Sequence, residues 1–241
     1  MKVEVYDDIA CPWCRLGTHQ FHRAVAAAGA EPDVELVHRP YQLIPDAPEE
    51  PRPLMDTVAE MFGPEQAEAM VTQMTRLGAS EGIEYRFGRA VAVNTLTAHR
   101  LRWLALHEHG AAVQDALATA LFDAYFRDGA DVADHTQLIE LAERAGLDGG
   151  RVRDFLASGE GDAEVREQAA AARREGVTTV PRFVFGNGEL IVGVTSTEAL
   201  GDALRKASGR TNRAARNTRL DIDSLPSCRA WPGTGLAGSR V

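Results

Sequence analysis

Residues 7–17 read DDIACPWCRLG and place two of the chain's three cysteines, Cys11 and Cys14, on either side of Pro12 and Trp13. A pair with this spacing can be half of a metal site, a structural disulfide or a redox-active dithiol. Each interpretation requires a different surrounding structure. The residues that flank the pair therefore decide the fold class as well as the chemistry.

A strand, a helix and a second strand are predicted around this stretch. Residues 2–6, KVEVY, alternate apolar and polar side chains, and residues 12–28 repeat apolar side chains at helical spacing before Gly29. VELVHRPYQL, residues 34–43, is typical of another strand. We expect the pair where the end of a strand meets the first turn of a helix, in a β-α-β unit whose spacing suits a parallel crossover.

The pattern changes after residues 45–53, PDAPEEPRP, whose four prolines interrupt regular structure. Strands return only late, as the runs 183–185 and 190–192 around a Gly-Asn-Gly turn, followed by a helix over 196–207. The intervening sequence predicts an all-helical insertion with helices at 55–62, 64–77, 94–109, 111–127, 134–145, 150–157 and 163–175. The fold class is therefore α/β, in the order β-α-β, helical insertion, β-β-α.

Changes of pattern also predict the domain boundaries. Residues 1–48 and 176–208 form the two halves of the α/β unit, and residues 49–175 form the inserted helical domain. Residues 209–241 carry six arginines against two acidic residues and show little apolar periodicity, which predicts a flexible basic tail. That tail also holds the third cysteine, Cys228.

Three helix starts carry capping signals. Asn94 precedes an apolar helical pattern and is a candidate N-cap. Asp134 with Gln137, and Thr195 with Glu198, have the spacing of a capping box. These signals predict where three of the helices begin.

The predicted position of the pair favours redox chemistry. At a helix N-terminus, free N–H groups and the helix dipole favour a thiolate, so we expect Cys11 to be substantially ionised at neutral pH. Cys14, one turn further along, is expected to be less exposed. Cys11 would then attack a substrate disulfide and Cys14 would resolve the mixed disulfide. Structural zinc needs four ligands, usually from two such cysteine pairs. The chain's third cysteine, Cys228, has no second cysteine near it in the sequence, so no metal is predicted.

Composition narrows the class of protein. The 241 residues are 44% hydrophobic with a formal net charge of −9, which argues against nucleic-acid binding. No stretch approaches the roughly 18 apolar residues of a membrane-spanning helix, and MKVEVYDD at the N-terminus lacks a signal-peptide pattern. We expect a cytoplasmic protein without membrane contact. Thiols stay reduced in that compartment, which disfavours a permanent disulfide.

The motifs CPWC after a short strand, NTLTAHRL at 94–101 and GVTTVPRFVFGN at 176–187 together resemble the DsbA-family thioredoxin-like oxidoreductases, specifically the FrnE-like branch. The resemblance covers about residues 1–207. It implies a thioredoxin fold interrupted by a helical insertion, in agreement with the element order predicted from the residues. It also implies a cis peptide bond between Val180 and Pro181, packed against the cysteines, with the Val180 backbone available to an extended substrate.

The roles of other candidate residues stay open. Trp13 can cover an apolar substrate or simply pack, and Pro12 suits the first helical position. The resemblance suggests that Asn94 and His99 line the substrate cleft, whereas the sequence alone equally predicts a helix cap and a polar surface residue. Asp7 and Asp8 can influence proton transfer near Cys14, although a solvated loop is the favoured interpretation.

The leading hypothesis is a thiol–disulfide oxidoreductase that acts on a protein disulfide or a small thiol, with no tightly bound cofactor. A glutathione-dependent isomerase or transferase is the first alternative, because the resemblance extends to 2-hydroxychromene-2-carboxylate isomerase and kappa-class glutathione transferase. Those relatives typically carry serine where Cys11 stands, yet glutathione as a cosubstrate stays open. The second alternative is a non-catalytic chaperone that binds peptides or an aromatic metabolite. A monomer and a homodimer are both compatible with the sequence.

Overall fold

The computed structural model describes residues 1–30 and 33–209. The strands in this part of the chain are β1 Lys2–Asp7, β2 Glu35–Pro40, β3 Arg52–Pro53, β4 Val91–Ala92, β5 Arg182–Phe185 and β6 Leu190–Val192. The α-helices are α1 Pro12–Ala27, α2 Leu54–Phe62, α3 Pro64–Ser80, α4 Leu96–His109, α5 Ala111–Asp123, α6 His135–Arg144, α7 Gly149–Ala157, α8 Asp162–Arg174 and α9 Thr197–Ala207. A π-helical turn, Ala124–Asp128, continues α5.

Four strands form one sheet in the order β2-β1-β5-β6. β1 and β2 are parallel, with Val5 opposite His38, and α1 is the crossover between them. β5 runs antiparallel to β1, with Phe183 opposite Val5, and β6 is antiparallel to β5. This arrangement confirms the predicted α/β fold, a thioredoxin fold in which a helical insertion separates β2 from β5.

One face of the sheet is covered by α1 and α9. The apolar side chains of β1 and β5 alternate toward these helices, as the period of two requires. Phe21 of α1 stacks on Phe183, with ring centroids 5.4 Å apart and planes inclined by 10°. Burying such a ring contributes about 1.5–3 kcal/mol. This packing fixes α1, and with it the cysteine pair, against the sheet.

The insertion differs in two places from the prediction. It is not all-helical, because β3 and β4 form a two-residue antiparallel ladder in which Arg52 pairs with Ala92. The segment predicted as one helix over 111–127 changes to a π-helical turn at Ala124. Runs this short carry no periodicity that a sequence pattern could detect.

The capping predictions have mixed outcomes. Asp134 caps α6 through its Oδ1, which accepts the N–H of Gln137 at 2.8 Å, as predicted. The prediction for α9 is off by one residue, because Ser196 rather than Thr195 is the N-cap. Likewise α4 begins at Leu96, so Asn94 lies one residue before the N-cap.

The division into separately folding domains stays a prediction. The basic tail and Cys228 fall in residues 210–241, outside the described part of the chain. Among the described helices, none has both the length and the apolar character needed to cross a membrane.

Candidate active site

Cys11 is the N-cap of α1, directly after the loop that leaves β1. Its backbone is extended, with φ −96° and ψ 109°, and Pro12 takes the first helical turn, where a missing N–H costs nothing. The backbone N–H of Cys14 donates to the Sγ of Cys11 at 3.3 Å. An N-cap acceptor is usually a side-chain oxygen. Here a sulfur takes that role, so the helix N-terminus directs an N–H group and its dipole toward a thiol.

Cys14 lies one turn further along and is fully buried, whereas Cys11 keeps 2% of its surface exposed. Both are free thiols. Burial raises the pKa of the Cys14 thiol well above its usual value, and Cys11 and the Asp7 carboxylate act in the same direction. Cys14 therefore holds its proton at neutral pH until a base removes it. The two thiols differ in the way that an attacking and a resolving cysteine would.

The segment before β5 packs against the same helix. The Val180–Pro181 peptide bond is cis, as the resemblance implies. A β-carbon on Gly17 would lie 2.7 Å from Cγ of Pro181, so only glycine allows Pro181 to pack this closely on α1. Val180 belongs to the same buried apolar cluster as both cysteines. Within the described residues, neither its N–H nor its carbonyl makes a hydrogen bond.

Tyr85 anchors the first turn of α1 from the insertion. Its hydroxyl donates to the carbonyl of Pro12 at 2.7 Å. The ring is buried, stacks on Phe87 and makes a T-shaped contact with Phe126. Burial raises the pKa of Tyr85 well above its usual value. The hydroxyl therefore stays a donor, and the CPWC turn is tied to the helical insertion.

Asp7 is fully buried, and Asp8 is nearly so, which overturns the expectation of a solvated loop. Oδ1 of Asp7 accepts from Nη2 of Arg102 at 2.6 Å, and Oδ2 lies 2.6 Å from Nδ1 of His38. Burial opposes ionisation, but Arg102 and His38 outweigh it and lower the pKa of Asp7 to about 2. Asp7 is therefore a carboxylate at neutral pH, and its charge helps to keep Cys14 protonated.

From Asp7 a chain of ionisable groups leads toward solvent. Nε2 of His38 lies 2.9 Å from Oδ1 of Asp115, whose other oxygen lies 2.9 Å from Nε2 of the half-exposed His22. Burial disfavours the charged form of His38, but Asp7 and Asp115 more than compensate and raise its pKa. Despite its burial, Asp115 has a lowered pKa because both histidines bind it. Contacts between these four side chains thus lead from Asp7 at the end of β1 to His22 on the surface of α1.

Asp8 contacts the cysteine loop directly. Its carbonyl accepts the N–H of Cys11 at 3.0 Å, and Oδ2 accepts the N–H of Leu43 at 2.6 Å. Nε2 of His99 lies 3.3 Å from Oδ1 of Asp8. His99 is 2% exposed, so the surface interpretation of this residue is wrong. The structure places His99 behind the cysteine loop, and its contact with substrate stays a prediction.

Asn94 uses its side chain to hold the proline-rich loop. Its Nδ2 donates to the carbonyls of Pro45 and Ala47, both at 3.0 Å. Its Oδ1 accepts from Nε2 of Gln42 and from the N–H of Leu96, both at 2.9 Å. Asn94 therefore caps one amide of α4 and closes the loop, while its part in a substrate cleft stays a prediction.

Two cavities flank the cysteine loop, and neither cysteine lines them. The first, of about 200 Å³, touches Ala10, the residue before Cys11. The second, of about 380 Å³, lies between Trp13, α3 and the start of α9. Trp13 is 8% exposed and packs in the apolar cluster of the cysteines while also lining the second cavity, so its two predicted roles are compatible.

The described residues include no group of three or more histidine, cysteine or acidic side chains arranged to hold a metal ion. Several residues of the site escape the sequence analysis, because the residues they contact are distant in the chain: Gly17, His38, Tyr85, Arg102, Asp115 and Tyr125. Of these, Gly17 alone carries a local signal, since a glycine inside a predicted helix often marks a close contact.

Comparison with known proteins gives a consistent result. A family model described as DSBA-like thioredoxin domain matches residues 2–205. A probable DsbA oxidoreductase from Streptomyces coelicolor is 33% identical, with 90% of this chain and 94% of that chain covered and a TM-score of 0.78. The match to the family model covers both halves of the sheet and the helical insertion.

Two more distant structures share the fold. One is a 2-hydroxychromene-2-carboxylate isomerase, 16% identical, with 88% of this chain and all of that chain covered and a TM-score of 0.62. The other is the cytosolic disulfide reductase DsbM from Pseudomonas aeruginosa with GSH, 15% identical, with 87% and 96% of the chains covered and a TM-score of 0.58. At these identities the likeness concerns the fold alone.

Proposed function

Since this chain belongs to the family of DSBA-like thioredoxin domains, we propose that it is a thiol–disulfide oxidoreductase that works through Cys11 and Cys14. One observation carries the proposal. The sulfur of Cys11 is the N-cap of α1 and accepts the N–H of Cys14, whose own thiol is buried and has a raised pKa. This arrangement suits a first thiol that attacks and a second that reacts only afterwards.

In the first step the Cys11 thiolate attacks one sulfur of a substrate disulfide. A bond forms between Sγ of Cys11 and that sulfur, the substrate S–S bond breaks, and the departing thiolate takes a proton from solvent. The helix N-terminus stabilises the negative charge of the attacking sulfur.

In the second step Cys14 loses its proton and attacks Sγ of Cys11. The mixed disulfide breaks, the second substrate thiol leaves, and Cys11 and Cys14 are joined. Two electrons pass from the protein dithiol to the substrate. Because burial raises the pKa of Cys14, its deprotonation is expected to limit this step at low pH.

An extended substrate would bind beside the free backbone groups of Val180. An unpaired N–H and carbonyl can bind a peptide strand, as in other cases of strand addition. Pro181, Pro12 and Trp13 would form the apolar surroundings of the reacting sulfurs. Asn94 and His99 would act indirectly, by holding the loops on which that surface depends.

We further propose a cytoplasmic location and a small thiol such as glutathione as the reductant that regenerates the dithiol. DsbM, with the same fold, is described as cytosolic and was solved with GSH. The substrate would be a disulfide-containing protein or a small disulfide. Monomer and homodimer, and membership of the FrnE-like branch, stay open predictions.

The proposal is tested by insulin-disulfide reduction with glutathione as the reductant, comparing wild type, Cys11→Ser and Cys14→Ser. We expect no activity in Cys11→Ser. In Cys14→Ser, mixed with insulin before glutathione is added, we expect a mixed disulfide on Cys11 that is detectable by mass spectrometry. Cys228→Ser serves as the matched control for removal of a thiol. Undiminished activity of Cys11→Ser would refute the mechanism.

The same assay separates the alternatives. Glutathione-dependent turnover that survives Cys14→Ser without net reduction of a disulfide would favour the isomerase or transferase, because such chemistry needs no resolving thiol. Suppression, by the double variant Cys11→Ser with Cys14→Ser, of the aggregation of insulin that dithiothreitol has reduced would favour the chaperone.

A further inference from the structure

The first cavity beside the cysteine loop has the features of a ligand site. It lies between the cysteine loop, the proline-rich loop, α2 and the start of α4, and its volume is about 200 Å³. Its walls are mostly aliphatic: Leu43, Ile44, Leu54, Val58, Met61 and Val93. Met61 is 48% exposed and stands at the rim. A dry cavity of roughly 150 Å³ holds one benzene ring, so this one accommodates a six-membered ring with a small substituent.

Two residues that line the cavity have a buried hydroxyl without a hydrogen-bond partner among the described residues. The side chain of Tyr125 is fully buried, and its hydroxyl makes no hydrogen bond with any described residue. The Oγ1 of Thr57 on α2 is likewise buried and makes no hydrogen bond with any described residue. Leaving a buried hydroxyl without a partner destabilises the folded protein. A bound polar group would relieve that cost.

Tyr125, which lines the cavity, lies in an irregular part of its helix. It belongs to the π-helical turn Ala124–Asp128 that ends α5. Such turns are rare and frequently occur at functional sites, since the extra residue redirects side chains. Burial raises the pKa of Tyr125. The hydroxyl therefore stays protonated and is available as a donor.

The cavity is adjacent to the loop that carries Cys11. Ala10 lines it and is bonded to Cys11, so their α-carbons are about 3.8 Å apart. Asp8, whose carbonyl accepts the N–H of Cys11, lines it as well. The cavity therefore lies beside the loop that carries the reacting sulfur, although Cys11 itself is not part of its lining.

We propose that this cavity is a substrate-specificity site for small organic disulfides whose sulfur carries a ring-sized apolar group with one hydrogen-bonding substituent. The inference rests on the proposed function. The ring fills the aliphatic walls, and the substituent binds the hydroxyls of Tyr125 and Thr57. The chemistry is unchanged: Cys11 attacks the disulfide, the first thiol leaves, and Cys14 releases the second, so one disulfide gives two thiols and the protein dithiol is oxidised.

Single-turnover oxidation of the reduced protein tests the proposal, with bis(4-hydroxybenzyl) disulfide, dibenzyl disulfide and bis(2-hydroxyethyl) disulfide as probes. Each rate is divided by the rate of the same disulfide with dithiothreitol, which removes differences in intrinsic reactivity. We expect the hydroxybenzyl probe to exceed the hydroxyethyl probe by about tenfold. Tyr125→Phe should lower the rate for the hydroxybenzyl probe several-fold and spare dibenzyl disulfide, since only the first has a hydroxyl to bind.

Val58→Phe fills the cavity and should abolish the preference for rings. Val192→Phe, at an exposed valine of β6, adds the same ring elsewhere and should keep the wild-type ratio. Binding of 4-methylphenol, measured by calorimetry on the reduced protein, should disappear in Val58→Phe and persist in Val192→Phe. Equal corrected rates for all three disulfides, or 4-methylphenol binding that Val58→Phe leaves intact, would overturn the site.

The two proposals fail in different ways. If the protein reacts with none of the disulfides but binds 4-methylphenol in the cavity, the oxidoreductase function fails, and the cavity is a ligand site but not a specificity site for disulfides. If it reduces every disulfide without preference, the function stands and the specificity site is wrong.

Discussion

Pro181 rests on the backbone of α1 at Gly17, where a β-carbon would come within 2.7 Å of its Cγ. This contact joins the second half of the sheet to the helix that carries both cysteines. It spans more than 160 residues of chain, and the absence of one methyl group makes it possible.

Gly17→Ala should therefore separate Pro181 from α1. We expect a loss of about 1–3 kcal/mol in the free energy of unfolding, as for overpacking elsewhere, and a several-fold loss of insulin reduction. Urea denaturation measures the first effect. Gly201→Ala in α9 is the control, because its β-carbon would meet only the flexible end of Arg205 and alanine favours helix. Unchanged stability and unchanged insulin reduction in Gly17→Ala would contradict the close packing of Pro181 on α1.

Asp7→Asn should be strongly destabilising. It leaves Arg102 buried without its carboxylate, while Nε and Nη1 of Arg102 already lack a partner among the described residues. Breaking a buried ion pair in this way costs about 3–5 kcal/mol. The double variant Asp7→Leu with Arg102→Met removes both charges and should recover much of the loss.

The effect of Asp7 should also depend on pH. Its pKa is lowered to about 2 in the folded protein, so its contribution is present above the unfolded value of about 3.9 and is lost as pH falls toward 2. The stability difference between wild type and Asp7→Asn should shrink across this range in urea denaturation. A difference that stays constant from pH 5 to pH 2 would argue against a native carboxylate.

His38 should give the opposite dependence. Its pKa is raised by Asp7 and Asp115 against burial and the Arg102 charge, so its contribution is present below about pH 6.5 and is lost as pH rises through the folded value. Wild type should lose stability more steeply than His38→Gln above pH 6.5. His109→Gln, at the exposed end of α4, controls for removal of an imidazole. Equal slopes would exclude a protonated His38 in the folded state.

Cys14 should resist alkylation in the native protein. Because burial raises its pKa and covers its sulfur, iodoacetamide at pH 7 should modify Cys11 first and leave Cys14 intact until urea is added. Peptide mapping by mass spectrometry distinguishes these two thiols from Cys228. Faster labelling of Cys14 than of Cys11 would reverse the proposed roles.

The sequence predicts the helices well because their signals are local. Gly29 ends α1 at its predicted place within one residue, and Asp134 caps α6. The partners of buried polar groups are not local. Asp7 looks like a loop residue because Arg102, which neutralises it, is 95 positions away, and His99 looks exposed because its partner is Asp8. A single sequence cannot show which charges meet in the core.

Gln114 of α5 places its side-chain amide against the outer edge of β2. The amide accepts from the N–H of His38 at 2.9 Å and donates to its carbonyl at 3.0 Å, as a neighbouring strand would. The sheet is thereby closed on that side. At its opposite edge β6 exposes Leu190 and Val192. Among the described residues, a partner strand would meet Gln114 at the β2 edge, and it would lengthen the sheet more readily beyond β6.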